Sequence, residues 1–382
     1  MDRKTYISSL FTGADQRLNF QTLDTVFPVA RMTASSMPFI FPRGPAIVLP
    51  STYAHEGVDR SVEALLDETE TMALLVVRDG SIVFERYADW GGAQARWKSM
   101  SVAKSVISAA LGIAWGEGLI PSLESSVSSI LPELAGSAYD GVSIKNVLQM
   151  SSGAGWNEDY SDPNSDINRF AAITASGGSF NAFPATLTRA RVPGTFNLYN
   201  STDTQVLGML LTRLTGRPIH DYVSGKLWHP LGMETEGFWL LDDHGMEMAY
   251  AGLNATARDY AKIGELFRNQ GRWRGRQIVP AQWVKASVTP DAPHLMPGET
   301  GLSDSLFGYG YQWWVLAGGD GAFAAIGVYN QFIYVNPAKG VVIVKLSASR
   351  RYGLTNDETS YREYETVDML AAIAATAWTW PD

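Results

Sequence analysis

The stretch from Ser99 to Gly116, SMSVAKSVISAALGIAWG, constrains the fold more than any other, because the helix that it predicts is apolar on every side. A helix of that kind has to lie inside the protein, surrounded by other elements. The chain therefore needs at least two layers of structure packed around this helix. The single charge in the stretch is Lys104, which stands three residues after Ser101.

The pair Ser101 and Lys104 is the first candidate for chemistry. Positions i and i+3 share a helix face, so the amine can reach the hydroxyl. A lysine in a dry pocket loses proton affinity and could deprotonate a serine near neutral pH. The S-x-x-K spacing alone is close to chance, and a snorkelling or salt-bridged lysine is the alternative. The isolation of this charge in an apolar helix favours the catalytic pair.

Two further motifs are weaker when each is taken alone. Tyr199 and Ser201, in LYNST, lead into an apolar-periodic helix, where a tyrosine could share a proton with the lysine or could simply pack. Thr202 and Gln205 have the spacing of a capping box for that helix. The segment Ala325-Ile326-Gly327 opens a strand, and its glycine would let a substrate approach the backbone. A plain core strand is the alternative there.

Composition removes several other classes of function. The net charge is −9 and no basic cluster is present, which argues against nucleic-acid binding. The absence of cysteine excludes disulfides, thiolate metal sites and a thiol nucleophile. The histidines show no metal-ligand spacing, and there is no G-x-S-x-G elbow, so a histidine-dependent hydrolase lacks support. These histidines are His55, His220, His229, His244 and His294. With no signal-like start and no long apolar run, we expect a soluble cytoplasmic protein that binds no membrane.

The order of elements predicts an α+β fold. Two β-rich runs meet at Asp79-Gly80, a strong hairpin signal, and strands return near the end of the chain. An antiparallel sheet flanked by helices, with an inserted and mostly helical region, fits this order. We expect an extended arm at 1–55, a sheet domain from 56–118 and 301–382, and a mostly helical domain at 119–300. The active site would lie at the interface of the last two.

Taken jointly and in order, the three motifs resemble those of the serine β-lactamase and penicillin-recognising superfamily. Its members carry S-x-x-K on a helix, then Y-x-N or Y-x-S, then K-T-G or H-x-G on a strand. Here the motifs read S-V-A-K (101–104), Y-N-S (199–201) and A-I-G (325–327). The similarity covers about residues 55–380 and looks closest to the class C-like branch of esterases and 6-aminohexanoate-dimer hydrolase. It implies the β-lactamase/transpeptidase-like fold.

The resemblance also implies a role for each matching residue. Ser101 would be the acylated nucleophile, Lys104 and Tyr199 would activate it and protonate the leaving group, and the N–H groups of Ser101 and Val328 would form the oxyanion hole. Ser201 would help to hold Lys104. The residues that would contact substrate are Ser201, Tyr160, Tyr250, Trp313, Trp314 and Asn330. No metal or organic cofactor is implied.

Two departures from the family pattern affect the choice of substrate. Ala325 stands where penicillin-recognising members have a lysine for the substrate carboxylate, and Asn330 replaces a glycine of the G-x-x-G-Q pattern. We therefore expect a carboxylesterase or amidase acting on a small ester or amide. A β-lactamase or D,D-peptidase and a non-catalytic binding protein on the same fold are the alternatives. The oligomeric state stays open, with a homodimer as one option.

Overall fold

The structure, a computed structural model, describes residues 1–376. The strands are β1 (Val29–Met32), β2 (Thr52–His55), β3 (Val58–Ser61), β4 (Thr71–Arg78), β5 (Ser81–Tyr87), β6 (Trp97–Lys98), β7 (Gly237–Leu240), β8 (Leu253–Ala255), β9 (Arg272–Trp273), β10 (Arg276–Gln277), β11 (Gly308–Tyr309), β12 (Trp314–Val315), β13 (Phe323–Gly327), β14 (Gln331–Asn336) and β15 (Val341–Ser347).

The α-helices are α1 (Arg3–Ser9), α2 (Val62–Glu68), α3 (Val102–Gly116), α4 (Val127–Ile130), α5 (Ile144–Leu148), α6 (Asp166–Ser176), α7 (Ser201–Thr215), α8 (Ile219–Val223), α9 (Ala257–Arg268), α10 (Ala281–Val288), α11 (Glu358–Tyr361) and α12 (Glu363–Ala374). A π-helical turn, Ser224–Trp228, follows α8.

The main sheet has seven antiparallel strands in the order β11-β12-β13-β14-β15-β4-β5. Its central strands are buried on both faces, so they read as continuous apolar runs. Alternate residues enter different cores: Leu75 and Val77 of β4 face the larger core, whereas Leu74 and Val76 face the smaller one. This alternation follows from the two-residue repeat of a strand.

Helices cover both faces of this sheet. Helix α9 packs on β15 and β14, and α12 packs on β2 and β15. Helix α3 lies inside the protein, in contact with α7, β13 and α10, which confirms the prediction of a central buried helix. The fold is the predicted α+β architecture, with an antiparallel sheet flanked by helices.

Local predictions were met at some element boundaries and missed at others. The hairpin at Asp79-Gly80 is confirmed: both residues have positive φ, 47° and 76°, and they join β4 to β5. The capping box on α7 is wrong, because the N-cap is Asn200, whose side chain accepts from the N–H of Thr202. The amphipathic spacing of residues 58–68 predicts a helix there, but the helix begins only at Val62, since the first four of these residues pair with β2.

The two ends of the chain differ in detail from the expected pattern. The arm at 1–55 is less extended than expected, since it contains α1 and supplies β1 to a second, four-stranded sheet of order β1-β7-β8-β6. The apolar pattern near the C-terminus predicts a closing helix at about 364–378. The helix spans Glu363–Ala374, and the last two predicted positions lie outside the described residues. Within residues 1–376, no helix is long and apolar enough to cross a membrane.

Candidate active site

Ser101 stands at the N-terminus of α3, at the junction with the short strand β6. It is the N-cap residue of the helix, and the preceding Met100 has a φ of 47°, in the left-handed region. Strained backbone of this kind at a non-glycine residue costs about 1–3 kcal/mol and occurs often at functional sites. The turn presents Ser101 to a cleft of about 410 Å³.

Lys104 is buried, with 1% of its surface exposed, and its amine bonds three groups around the serine. Its Nζ lies 2.8 Å from Ser101 Oγ, 3.1 Å from Ser201 Oγ and 3.1 Å from the carbonyl oxygen of Tyr250. Burial lowers the pKa of Lys104 to about 7, because the ammonium form loses its hydration. An amine in this position can accept the proton of Ser101 near neutral pH.

Tyr199 lies on the other side of this pair, just before α7. The centre of its ring is 5.0 Å from Lys104 Nζ, and the ring stacks on Trp314 at 5.0 Å. Burial raises its pKa well above the usual value, only partly offset by a hydrogen bond with Ser101. Tyr199 is therefore a neutral phenol at neutral pH, suited to give a proton rather than to act as a phenolate base.

The Ala325-Ile326-Gly327 motif lies directly against the turn that carries Ser101, and the contact is made at Gly327. A Cβ atom at Gly327 would lie 2.8 Å from the carbonyl oxygen of Ser99 and 2.9 Å from the amide nitrogen of Ser101. Only glycine lets β13 run this close to the turn that carries the nucleophile candidate. Val328 follows directly and borders the cleft together with Ser101.

Glu158 is a site residue that the sequence reasoning missed. Its Oε1 accepts from Ser201 Oγ at 2.6 Å and from the hydroxyl of Tyr160 at 2.7 Å, and its Oε2 accepts from the N–H of Ser201 at 3.1 Å. A chain of hydrogen bonds thus runs from Lys104 through Ser201 to Glu158, and the carboxylate raises the pKa of Lys104 against the effect of burial. In the sequence, the only indication that Glu158 belongs to the site was its position two residues before Tyr160.

Acidic and aromatic side chains dominate the cleft. Burial raises the pKa of Asp304 to about 6 and that of Glu363 to about 8. Among the described residues that line the cleft there is no lysine, arginine or histidine. Its acidic lining residues are Glu158, Asp159, Asp304, Glu358 and Glu363. With a pKa of about 8, Glu363 is mostly protonated at pH 7 and adds no charge, but the rest of this lining, which has no cation, is unfavourable for an anionic ligand.

The expected substrate-contacting residues are divided between the cleft and the core. Tyr160 and Trp314 line the cleft. Trp313 is fully buried and packs against Phe267 and Phe323, away from the cleft.

Tyr250 and Asn330 are also set apart from the cleft lining. The carbonyl of Tyr250 holds Lys104, and its ring borders a smaller cavity beside Ser101. The side chain of Asn330 donates to the carbonyl of Tyr361 at 2.8 Å and accepts from Thr366 Oγ1 at 2.6 Å. These bonds tie the β13–β14 turn to the C-terminal helices, so the amide of Asn330 is turned away from the cleft.

A second buried lysine lies close to the nucleophile candidate and was also missed. Lys98, on β6, donates to the hydroxyl of Tyr6 at 3.1 Å, and burial lowers its pKa to about 7. Within residues 1–376, Lys98 forms no hydrogen bond with Ser101, in contrast to Lys104. The environment of the two lysines is similar, but only Lys104 is joined to the serine.

An antiparallel sheet flanked by helices, with a serine and a buried lysine one helical turn apart, defines a β-lactamase-like hydrolase. The profile of the Beta-lactamase family matches residues 58–367, and the chain belongs to that family. The 6-aminohexanoate-dimer hydrolase of Paenarthrobacter ureafaciens is 32% identical over 295 residues, which are 75% of either chain.

Solved structures agree on the fold. A Bacillus anthracis protein, provisionally named a 6-aminohexanoate-dimer hydrolase, superposes with a TM-score of 0.79 at 22% identity over 96% of either chain. EstCE1, a hydrolase with promiscuous acyltransferase activity, gives a TM-score of 0.64 at 17% identity over 82% of this chain and 96% of its own. The chain therefore shares its architecture with both of these proteins.

Proposed function

We propose that the protein hydrolyses small esters or amides through an acyl-enzyme on Ser101, as a carboxylesterase or a 6-aminohexanoate-oligomer-type amidase. The observation that carries the proposal is the 2.8 Å hydrogen bond between Lys104 Nζ and Ser101 Oγ in a buried site. An amine there is neutral in a large share of molecules near pH 7, since the pKa of Lys104 is about 7. A serine next to such a base is an activated nucleophile.

In the first step, neutral Lys104 takes the proton of Ser101 while the serine Oγ forms a bond to the substrate carbonyl carbon. The carbonyl oxygen becomes an oxyanion, which the backbone N–H groups of Ser101 and Val328 stabilise. Loss of one donor from such a pair typically costs about 3 kcal/mol. The N-terminus of α3 adds its partial positive charge.

In the second step, the tetrahedral intermediate collapses and the bond from carbon to the leaving oxygen or nitrogen breaks. Tyr199 gives its proton to the leaving alcohol or amine and recovers one from the protonated Lys104. Water then attacks the acyl-enzyme, with the same groups removing its proton. The acid is released and Ser101 regains its hydrogen.

Two observations favour esters and amides over β-lactams and D-alanyl peptides, whose recognition depends on a carboxylate. Ala325 offers no cation, and it is buried in the core. The cleft has five acidic lining residues and no basic one among the described residues. A substrate carboxylate meets no cation there and is repelled, which disfavours β-lactams and D-alanyl peptides. The leaving group of the 6-aminohexanoate dimer also ends in a carboxylate, so within the proposed range the lining favours small neutral esters and amides over that dimer.

The test is a substrate panel of p-nitrophenyl butyrate, the 6-aminohexanoate dimer and nitrocefin, measured as kcat/KM. We expect hydrolysis of the ester or the amide, with nitrocefin at least about 100-fold slower, the order of effect of an unpaired charge in a binding site. Nitrocefin as the best substrate would point instead to a β-lactamase. No turnover, together with no labelling of Ser101 by a fluorescent penicillin or an acylating ester, would point to a non-catalytic binding protein.

Replacing Glu158 with glutamine is expected to move the acid limb of kcat/KM to lower pH. The charge of Glu158 raises the pKa of Lys104, so its removal lowers that pKa and the amine becomes neutral at lower pH. The control is Glu133→Gln, a carboxylate on the surface that pairs with Arg213. The measurement is the pH–rate profile from pH 5 to 9. A shift of the limb to higher pH would contradict the electrostatic role assigned to Glu158.

A further inference from the structure

A second, smaller cavity of about 50 Å³ opens beside Ser101. It shares Ser101, Val328 and Tyr160 with the large cleft, but Tyr199 lines only the large one. Its walls are mostly apolar. Its polar lining residues are Lys98, Ser101, Tyr160, Ser201 and Tyr250. The hydroxyl of Tyr250 is buried and has no hydrogen-bond partner in residues 1–376. A buried hydroxyl without a partner is costly unless a ligand or water completes it.

The position of Tyr199 decides which part of the substrate each space receives. The leaving group has to lie within reach of its proton donor, so it occupies the cleft that Tyr199 lines. The acyl chain leaves the same carbonyl carbon in the other direction. The small cavity borders Ser101 and Val328 without bordering Tyr199, so it is the space open to the acyl chain.

One wall of this cavity comes from the N-terminal arm, which precedes the segment matched by the family profile. Ile7, Leu10 and Phe11 line it. The arm is held next to Val328, whose N–H is the proposed oxyanion donor, because the N–H of Phe11 donates to the hydroxyl of the adjacent Tyr329 at 2.8 Å. The ring of Phe11 also lies 4.6 Å from that of Tyr160 and 5.2 Å from that of Tyr329.

We infer that the small cavity is the acyl-chain pocket and that the N-terminal arm closes it and limits the length of the acyl chain. This inference rests on the proposed hydrolysis in its carboxylesterase form, because the 6-aminohexanoyl group is a six-carbon chain with a terminal ammonium and does not fit an apolar pocket of this size. A water position takes about 10–15 Å³ on this measure, so 50 Å³ holds roughly four small groups. Acyl chains of about two to four carbons fill the pocket, and longer chains collide with Leu10.

The test compares kcat/KM for p-nitrophenyl acetate, butyrate, hexanoate and octanoate. The wild type is expected to prefer acetate or butyrate. Leu10→Ala removes three carbons from the wall and is expected to raise the hexanoate-to-acetate ratio by about tenfold, the value of about two further buried methylenes. The matched control is Leu18→Ala, in the same arm but 70% exposed, which is expected to keep the wild-type profile.

A reciprocal variant tests the same pocket from α6, a helix that packs against α1 of the arm. Ala171, on α6, also lines the cavity, and Ala171→Leu is expected to lower the butyrate-to-acetate ratio by a similar factor. If Leu10→Ala fails to fold, as judged by circular dichroism, Ala171→Leu alone still tests whether the cavity receives the acyl chain.

The outcomes separate the two proposals. If the wild type hydrolyses none of the esters or the amide, the proposed function is wrong and the pocket assignment falls with it. If the wild type is active but neither Leu10→Ala nor Ala171→Leu changes the chain-length profile, the hydrolase stands and the role of the arm is overturned. A shift in opposite directions by the two variants supports the acyl pocket.

Discussion

Replacing Ser101 with alanine is expected to lower kcat for the best ester or amide by about 10⁴- to 10⁶-fold, the usual cost of removing a nucleophile from a serine hydrolase. The acyl-enzyme cannot form without the Oγ atom, whereas the backbone donors and the cleft remain. Only the small acceleration that these groups give on their own should survive. Turnover is measured spectroscopically with p-nitrophenyl butyrate, and the acyl-enzyme by mass spectrometry of the intact protein.

The matched control is Ser108→Ala, a buried serine two turns further along α3, whose Oγ accepts from the indole N–H of Trp283 at 3.3 Å. It is outside the cleft, so it should keep wild-type turnover. The wild type and Ser108→Ala should both gain the mass of one acyl group, and Ser101→Ala should gain none. Activity of Ser101→Ala within tenfold of the wild type would show that another residue is the nucleophile.

The parts of the fold that the sequence predicts are those with strong local signals. The all-apolar stretch around Lys104 could only be a buried helix, and Asp79-Gly80 could hardly be anything but a tight hairpin turn. The spacing of Ser101 and Lys104 survives into the structure because both lie on one helical turn, where three residues always bring side chains together. Such features need no knowledge of the rest of the chain.

The parts that could not be predicted come from distant segments that meet only in the folded protein. The acidic lining of the cleft is contributed by the loop at 156–160, by Asp304 before β11, and by Glu358 and Glu363 near the C-terminus. No spacing along the chain links these residues. The same holds for Phe11, whose contact with Tyr160 bridges the arm and the middle of the chain.

The neighbouring residues Trp313 and Trp314 illustrate a different limit. Successive residues of an extended segment point to opposite sides, so one tryptophan had to face the core and the other had to face away from it. The sequence does not reveal which is which, because both are equally apolar. The structure shows that Trp314 stacks on Tyr199 and that Trp313 packs on Phe323.

Replacing Lys104 with arginine is expected to lower kcat/KM by about 10³-fold or more at every pH between 6 and 9. If Lys104 is the base, as proposed, wild-type activity requires the neutral amine, so kcat/KM should rise with pH and reach half its maximum near the pKa of about 7. A guanidinium keeps its proton over this whole range and cannot accept one from Ser101. The variant should therefore lose the activity rather than shift its pH optimum.

A variant of the second buried lysine, Lys98, shows which of the two amines causes the pH dependence of kcat/KM. Lys98 also has a pKa of about 7, so a wild-type limb near pH 7 does not by itself say which amine is responsible. Lys98→Met removes the other titrating group but leaves the bond from Lys104 Nζ to Ser101 Oγ in place. If Lys104 is the base, Lys98→Met keeps a half-maximum near pH 7, whatever its maximal rate. If Lys98→Met loses the rise of kcat/KM near pH 7, or if Lys104→Arg keeps the wild-type dependence of kcat/KM on pH, Lys104 is not the base.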